Sequence, residues 1–233
     1  MREGIPIYVV VFLFFTMFMK WLGVPEDVSA YVSASLLLMM YYASSLNFPV
    51  HQWEFRDEVV KPFLLTVDEA KIYEEVRLNF RSSTEVLINA VGTLTPLAMS
   101  IVGGFVAVTA LGASIWDVVT LTSFLTFVYA RITQAIRGKG LGVPLAKVVG
   151  ITVVASLAIT CGITPKAAAL VTYASTVLAT LIGIDLLNLR KVAIFRSKKV
   201  IIGGMGVTDA IFFLPALTAL LVWSFASVLA CAH

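Results

Sequence analysis

The chain has 233 residues, 59% of them hydrophobic and 13% charged, with a mean hydropathy of +0.95. A soluble domain carries about 25% charged residues, and a soluble fold of this size must still cover its surface, so lipid is the solvent for much of this chain. The net charge of +3 sits in short, loop-bound runs, which topology explains without nucleic acid, and no P-loop, GxGxxG, HExxH or Ser/His/Asp pattern occurs.

Ile5–Leu22 reads as a retained first helix. Gly23-Val24-Pro25-Glu26-Asp27 follows it where a signal peptide would carry a small-x-small cleavage site. Six further apolar spans follow: Val28–Leu46, an interrupted Val86–Ala110, Ser114–Ile132, Val143–Ile159, Ala167–Leu187 and Asp209–Ala230. Each has about 17 to 25 residues, the length that crosses the hydrocarbon. Val143–Ile159 is the weakest because Lys147 lies inside it. The expected fold is thus an all-α polytopic membrane protein of about seven transmembrane helices, one membrane domain over residues 1–233.

Charge orients this bundle. With a cytoplasmic N-terminus, the inner segments hold Arg2, the basic residues of 47–85, those of 131–147 and those of 188–206. That is 15 of the 17 Lys and Arg, leaving Lys20 and Lys166 near the outer side. Cytoplasmic loops carry such an excess, so the expectation is a multi-pass protein of the cell membrane with its C-terminus external. Anionic lipid headgroups are the expected partners of the basic loops.

The polar insert at 49–83 differs in character. Around Trp53 and Phe55, and again around Val76, Leu78 and Phe80, apolar residues alternate with polar ones at the period of a half-buried strand. Thr66-Val67-Asp68-Glu69 has the spacing of a helix capping box. A small α/β cap of two strands and a short helix to Glu75 is therefore expected. It is either an ordered packing loop or a lid.

Two aspartates stand out. Asp185 lies near the inner end of the sixth span, and Asp209 opens the seventh after Gly203-Gly204-Met205-Gly206-Val207-Thr208. The linker between the two spans is short enough for an antiparallel hairpin, which puts both carboxylates at similar depth. Intramembrane acids are costly and mark functional sites. Two close carboxylates share a proton, and such a pair activates water for peptide hydrolysis or binds and releases protons in transport. The plainer alternative is Asp209 as a helix cap, with Asp185 paired to Arg190 or Lys191. Asp117, at the outer end of the fourth span, reads as solvated.

Asn89-Ala90-Val91-Gly92-Thr93-Leu94-Thr95-Pro96 breaks the third span. Asn89, Gly92, Thr95 and Pro96 interrupt the helical ladder, either as a binding site of the kind transporters use or as a tolerated kink. Gly203, Gly204 and Gly206 permit close backbone approach. Gly103-Gly104 reads as a helix-packing contact. Cys161 and Cys231 read as small residues in apolar packing. With His51 and His233 the only histidines, neither a metal nor another cofactor is expected.

These segments carry a resemblance. Ile88-Asn89-Ala90-Val91-Gly92, Pro96-Leu97, Gly140-Leu141-Gly142-Val143-Pro144, Gly183-Ile184-Asp185-Leu186-Leu187-Asn188-Leu189 and Ile202-Gly203-Gly204-Met205-Gly206 with Asp209-Ala210-Ile211-Phe212 resemble a prokaryotic membrane family, domain of unknown function 1614. The resemblance covers about residue 28 to the C-terminus and brings no activity with it, though it adds Asn188 to the residues of interest. A looser similarity is to the GxGD intramembrane aspartyl proteases, prepilin and preflagellin peptidases above all. It implies catalytic roles for Asp185 and Asp209, although Val207 and Thr208 intervene where that motif sets aspartate directly after glycine.

Three functions follow as expectations. The first is an intramembrane aspartyl-protease-like hydrolase acting on a membrane protein or peptide. The second is a proton-coupled transporter or channel for a small solute. The third is a non-catalytic scaffold or subunit, which would self-associate as a homo-oligomer.

Overall fold

A computed structural model describes residues 5–67, 70–136, 140–189 and 199–230. Helix α1 (Ile5–Trp21) is apolar along its length and stops at Gly23, whose φ of 89° suits only glycine. Lys20 pairs with Glu26 across the turn, and α2 (Glu26–Ala43) starts with Glu26 and Asp27 in its first turn, where acids complement the helix dipole. Strands β1 (Asn47–Val67) and β2 (Ala70–Asn89) then form a long antiparallel ribbon.

A π-helical turn (Ala90–Leu94) leads into α3 (Thr95–Ala110). Helix α4 (Ile115–Ile132) opens with a capping box, the Ser114 amide donating to Asp117 Oδ2 at 2.8 Å. Asp117 thus has a structural role at its helix start. A two-strand turn, β3 (Gln134–Ile136) with β4 (Gly140–Gly142), connects to α5 (Leu145–Ile159). Helix α6 (Pro165–Ala179) continues as a π-helical segment (Thr180–Leu186). Strand β5 (Lys199–Ile202) precedes a 3₁₀ turn (Gly206–Thr208) and α7 (Ala210–Ala230).

Helix α6 is the axis of the bundle, packed by α3, α4 and α7. Its run from Ala167 to Val177 is buried on every face, and alanines at 167, 168, 169, 174 and 179 let neighbouring backbones approach. Gly103 and Gly104 of α3 serve the same contact: a Cβ on Gly103 would stand 3.1 Å from the Phe18 ring, and one on Gly104 would stand 3.4 Å from Ala174 Cβ. The outer faces carry exposed Ile101, Phe105, Phe127, Val154 and Val228, the inverse of a soluble surface. Four segments are long and apolar enough to cross a membrane: Ala90–Ala110, Ile115–Ile132, Pro165–Leu186 and Ala210–Leu229. The apolar helices at Ile7–Trp21 and Leu145–Ile159 fall short of that length.

Several expectations need correction. No helix forms before Glu75: Ala70–Glu75 is strand, with Lys71 opposite Thr66 and Ile72 opposite Leu65, while Asp68 and Glu69 lie outside the described residues. The β-branched and aromatic content of Val59, Val60, Phe63, Ile72, Tyr73 and Val76 outweighs the local capping signal. The ribbon also extends beyond 49–83, so Val86–Asn89 is strand and the third span starts at Ala90. The helix break therefore lies at the entrance of that span instead of within it, and Pro96 falls in the first turn of α3, where no amide donor is missed. Cys161 is exposed in the turn after α5 instead of packed; Cys231 lies outside the described residues.

Candidate functional site

Asn89 organises the entrance to α3. It is fully buried, and its Nδ2 donates to the carbonyls of Ser44 (2.7 Å) and Leu46 (3.3 Å) and to Asn47 Oδ1 (3.0 Å). Its Oδ1 accepts the amides of Val91 (3.0 Å) and Gly92 (2.7 Å). One side chain thus joins the end of α2, the start of β1 and the π turn, and it satisfies amide donors that a helix start leaves free. Thr95 Oγ1 closes the turn by donating to Ala90 O at 3.2 Å.

The glycine-rich loop is seated on this turn. Strand β5 runs parallel to β2, with Glu85 opposite Lys199 and Ile88 opposite Ile202, and Lys199 Nζ lies 3.4 Å from a Glu85 carboxylate oxygen. Thr93 Oγ1 donates to Ile202 O at 3.0 Å. At the next residue the two backbones meet: a Cβ on Gly92 would come 2.7 Å from Gly203 C, and one on Gly203 would come 2.6 Å from Gly92 C. Neither position has room for a side chain. Gly203 (φ 71°) also closes a tight turn by accepting the Gly206 amide at 3.0 Å. Gly204 is exposed.

Asp209 ends that loop as the cap of α7. Its carboxylate accepts the amides of Ile211 (3.1 Å) and Met205 (3.4 Å), and its own amide donates to Gly206 O. Burial raises its pKa from the ordinary aspartate value, and the amide bonds from Ile211, Met205 and Ala210 pull partly against that rise. A carboxyl that holds its proton more tightly when folded adds most stability below its unfolded pKa. That contribution is lost as pH rises through the folded value. Wild type should therefore lose thermal stability as pH climbs from near 3.8, by more than Asp209→Asn does. Thermal melts of both proteins across the acidic range read the difference, and parallel curves would contradict it.

Asp185 comes from the other arm. The π-helical end of α6 turns its glycine onto α4, where a Cβ on Gly183 would stand 2.7 Å from Thr126 O and 3.1 Å from Tyr129 Cβ. Buried Asn188 donates to Gly183 O at 2.6 Å, holding the wide turn. Asp185 is half-buried, and its carboxylate lies within electrostatic reach of Asp209. No hydrogen bond or ion pair engages it among the described residues; Arg190 and Lys191, its alternative partners, lie outside them. Leu186, Leu187 and Met205 are exposed alongside. No group of three His, Cys, Asp or Glu side chains assembles among the described residues.

In the sequence, Asn89–Pro96 and Gly203–Asp209 are separate features. They form one junction, and the missing link is the pairing of β2 with β5. The β-branched run Val200-Ile201-Ile202 was the available signal.

The bundle, its lipid-facing apolar exterior and this junction define a polytopic helical membrane protein. The chain belongs to the family described as protein of unknown function (DUF1614), whose model matches residues 39–222 and so takes in both motif segments. No curated protein and no solved structure matches it.

Proposed function

We propose that this protein is an intramembrane aspartyl-protease-like hydrolase, with Asp185 and Asp209 as its acid pair. The observation that carries the reading is that α6 and α7 pack along each other, with Asp185 at the end of one and Asp209 just before the start of the other. Asp209, held by backbone amides, takes a proton from water while the water oxygen attacks a peptide carbonyl carbon. Asp185, whose carboxylate has no such donors among the described residues, gives its proton to the carbonyl oxygen. Collapse of the tetrahedral adduct breaks the C–N bond as the proton held by Asp209 passes to the leaving nitrogen and one adduct hydroxyl returns its proton to Asp185, which restores both acids. Exposed Leu186, Leu187 and Met205 offer an apolar rim for a membrane peptide.

The reading sets the junction at the cytoplasmic face of a seven-span bundle, counting α1, α2 and α5 as spans, with the N-terminus inside and the C-terminus outside. The support is the concentration of Lys and Arg in the inner segments. Anionic headgroups contact those segments, and exposed helix faces allow a homo-oligomer.

A second reading, proton-coupled transport, is favoured by buried hydroxyls on α4, α5 and α6, described below. Cysteines at 185 and 209 in a Cys161→Ser, Cys231→Ser background test the shared premise. A short bifunctional methanethiosulfonate should join them within the folded protein in membranes. Failure to join them, with each cysteine singly reactive, leaves only a scaffold role.

A further inference from the structure

Threonine and serine in a helix ordinarily donate to the carbonyl four residues back. Thr152, Thr160, Thr172 and Thr180 do so at 2.6 to 2.7 Å. Four other hydroxyls in the same core do not: Thr122 and Thr126 of α4, Ser156 of α5 and Thr176 of α6 are buried without a partner among the described residues. Ser156 and Thr176 have no exposed surface at all.

These groups fall in one region. Ser175 Oγ donates to Val118 O at 3.2 Å, and Gly183 sits against Thr126 O. The stretch of α4 from Val118 to Thr126 therefore runs beside α6 from Ser175 to Gly183. Thr122 and Thr126 follow Val118 at one-turn intervals on that face. Thr176 lies on the facing stretch of α6. One turn beyond Thr126, Tyr129 Oη bonds Thr152 Oγ1, which brings in α5 and, a turn further along it, Ser156.

Buried polar groups that protein does not satisfy are satisfied by ordered water, whereas purely apolar voids stay dry. We propose that Thr122, Thr126, Ser156 and Thr176 line an internal file of water between α4, α5 and α6.

Two tyrosines supply an internal comparison. Tyr129 and Tyr173 both have 0% exposure, but Tyr129 adjoins the hydroxyls whereas Tyr173 packs against the Phe14 and Phe18 rings. Radiolytic labelling of the full chain in lipid nanodiscs, in isotope-labelled water, marks side chains that touch bound water whether or not bulk solvent reaches them. Tyr129 should be labelled and Tyr173 should stay at background. Thr122→Val, Thr126→Val and Thr176→Val combined should bring it down to the Tyr173 level, and serine at the same three positions should retain it. Equal background labelling of both tyrosines in the wild type overturns the proposal, as does labelling that survives the valines. Neither outcome depends on peptide cleavage, so a dry core and an inactive acid pair give different results.

Discussion

Alanine at Gly203 or Gly92 should destabilise the protein more than alanine at any other glycine described above. A methyl group at either position enters the backbone of the opposite segment, and backbone cannot swing aside as a side-chain end does. Overpacking of that kind costs about 1–3 kcal/mol or more. At Gly203 the left-handed φ adds roughly 1–2 kcal/mol for any L side chain. The sum corresponds to a fall in melting temperature on the order of 10 °C for a chain of this size. Gly162 supplies the comparison, since its φ of 92° is also left-handed but nothing lies within 4 Å of its Cβ position. Gly162→Ala should cost only the backbone share, about 1–2 kcal/mol. If detergent melts place Gly203→Ala no lower than Gly162→Ala, the glycine loop is not seated on the turn after Asn89.

The acid pair should behave as a unit in peptide hydrolysis. General acid–base catalysis contributes about 10²–10⁴-fold, so Asp185→Asn and Asp209→Asn should each lower cleavage of a membrane peptide by about that factor. When two groups perform one step, removing the second costs little more, and the double variant should match the singles. The Asn substitutions differ structurally. Asn at 209 still caps α7, because its amide oxygen accepts from the Ile211 amide much as the carboxylate does. A loss of rate there with no fall in melting temperature therefore assigns the effect to chemistry. Multiplicative losses in the double variant would mean that the two acids act separately, and the hydrolytic reading would fail.

The parts of this molecule that were legible in the sequence are those governed by neighbours in the chain. The lengths of α4, α6 and α7 follow from unbroken apolar runs closed by Thr133 or opened by Ser114 and Thr164. Asp209 as a helix start follows from its place before Ala210-Ile211-Phe212. Gly103 and Gly104 announced a close helix contact and make one. The reading failed where partners distant in sequence decide. Ala70–Glu75 has an acceptable helical pattern alone, but pairing with Thr66 and its predecessors holds it as strand. Asn89 looked like a break inside a span because nothing near it reveals that Ser44, Leu46 and Asn47 occupy its amide group. The orphan hydroxyls of Thr122, Thr126 and Thr176 were invisible for the same reason, since an isolated helix would satisfy each on its own turn.

The bond from Thr93 to Ile202 spans 109 positions, which has a consequence for biosynthesis. Chains emerge N-terminus first, so the ribbon and the first six helices are complete before Ile202 leaves the ribosome. Until then the entrance to α3 has no loop resting on it. The junction closes only as α7, the last helix, is made. A nascent or truncated chain can thus hold its first six helices with the junction still open.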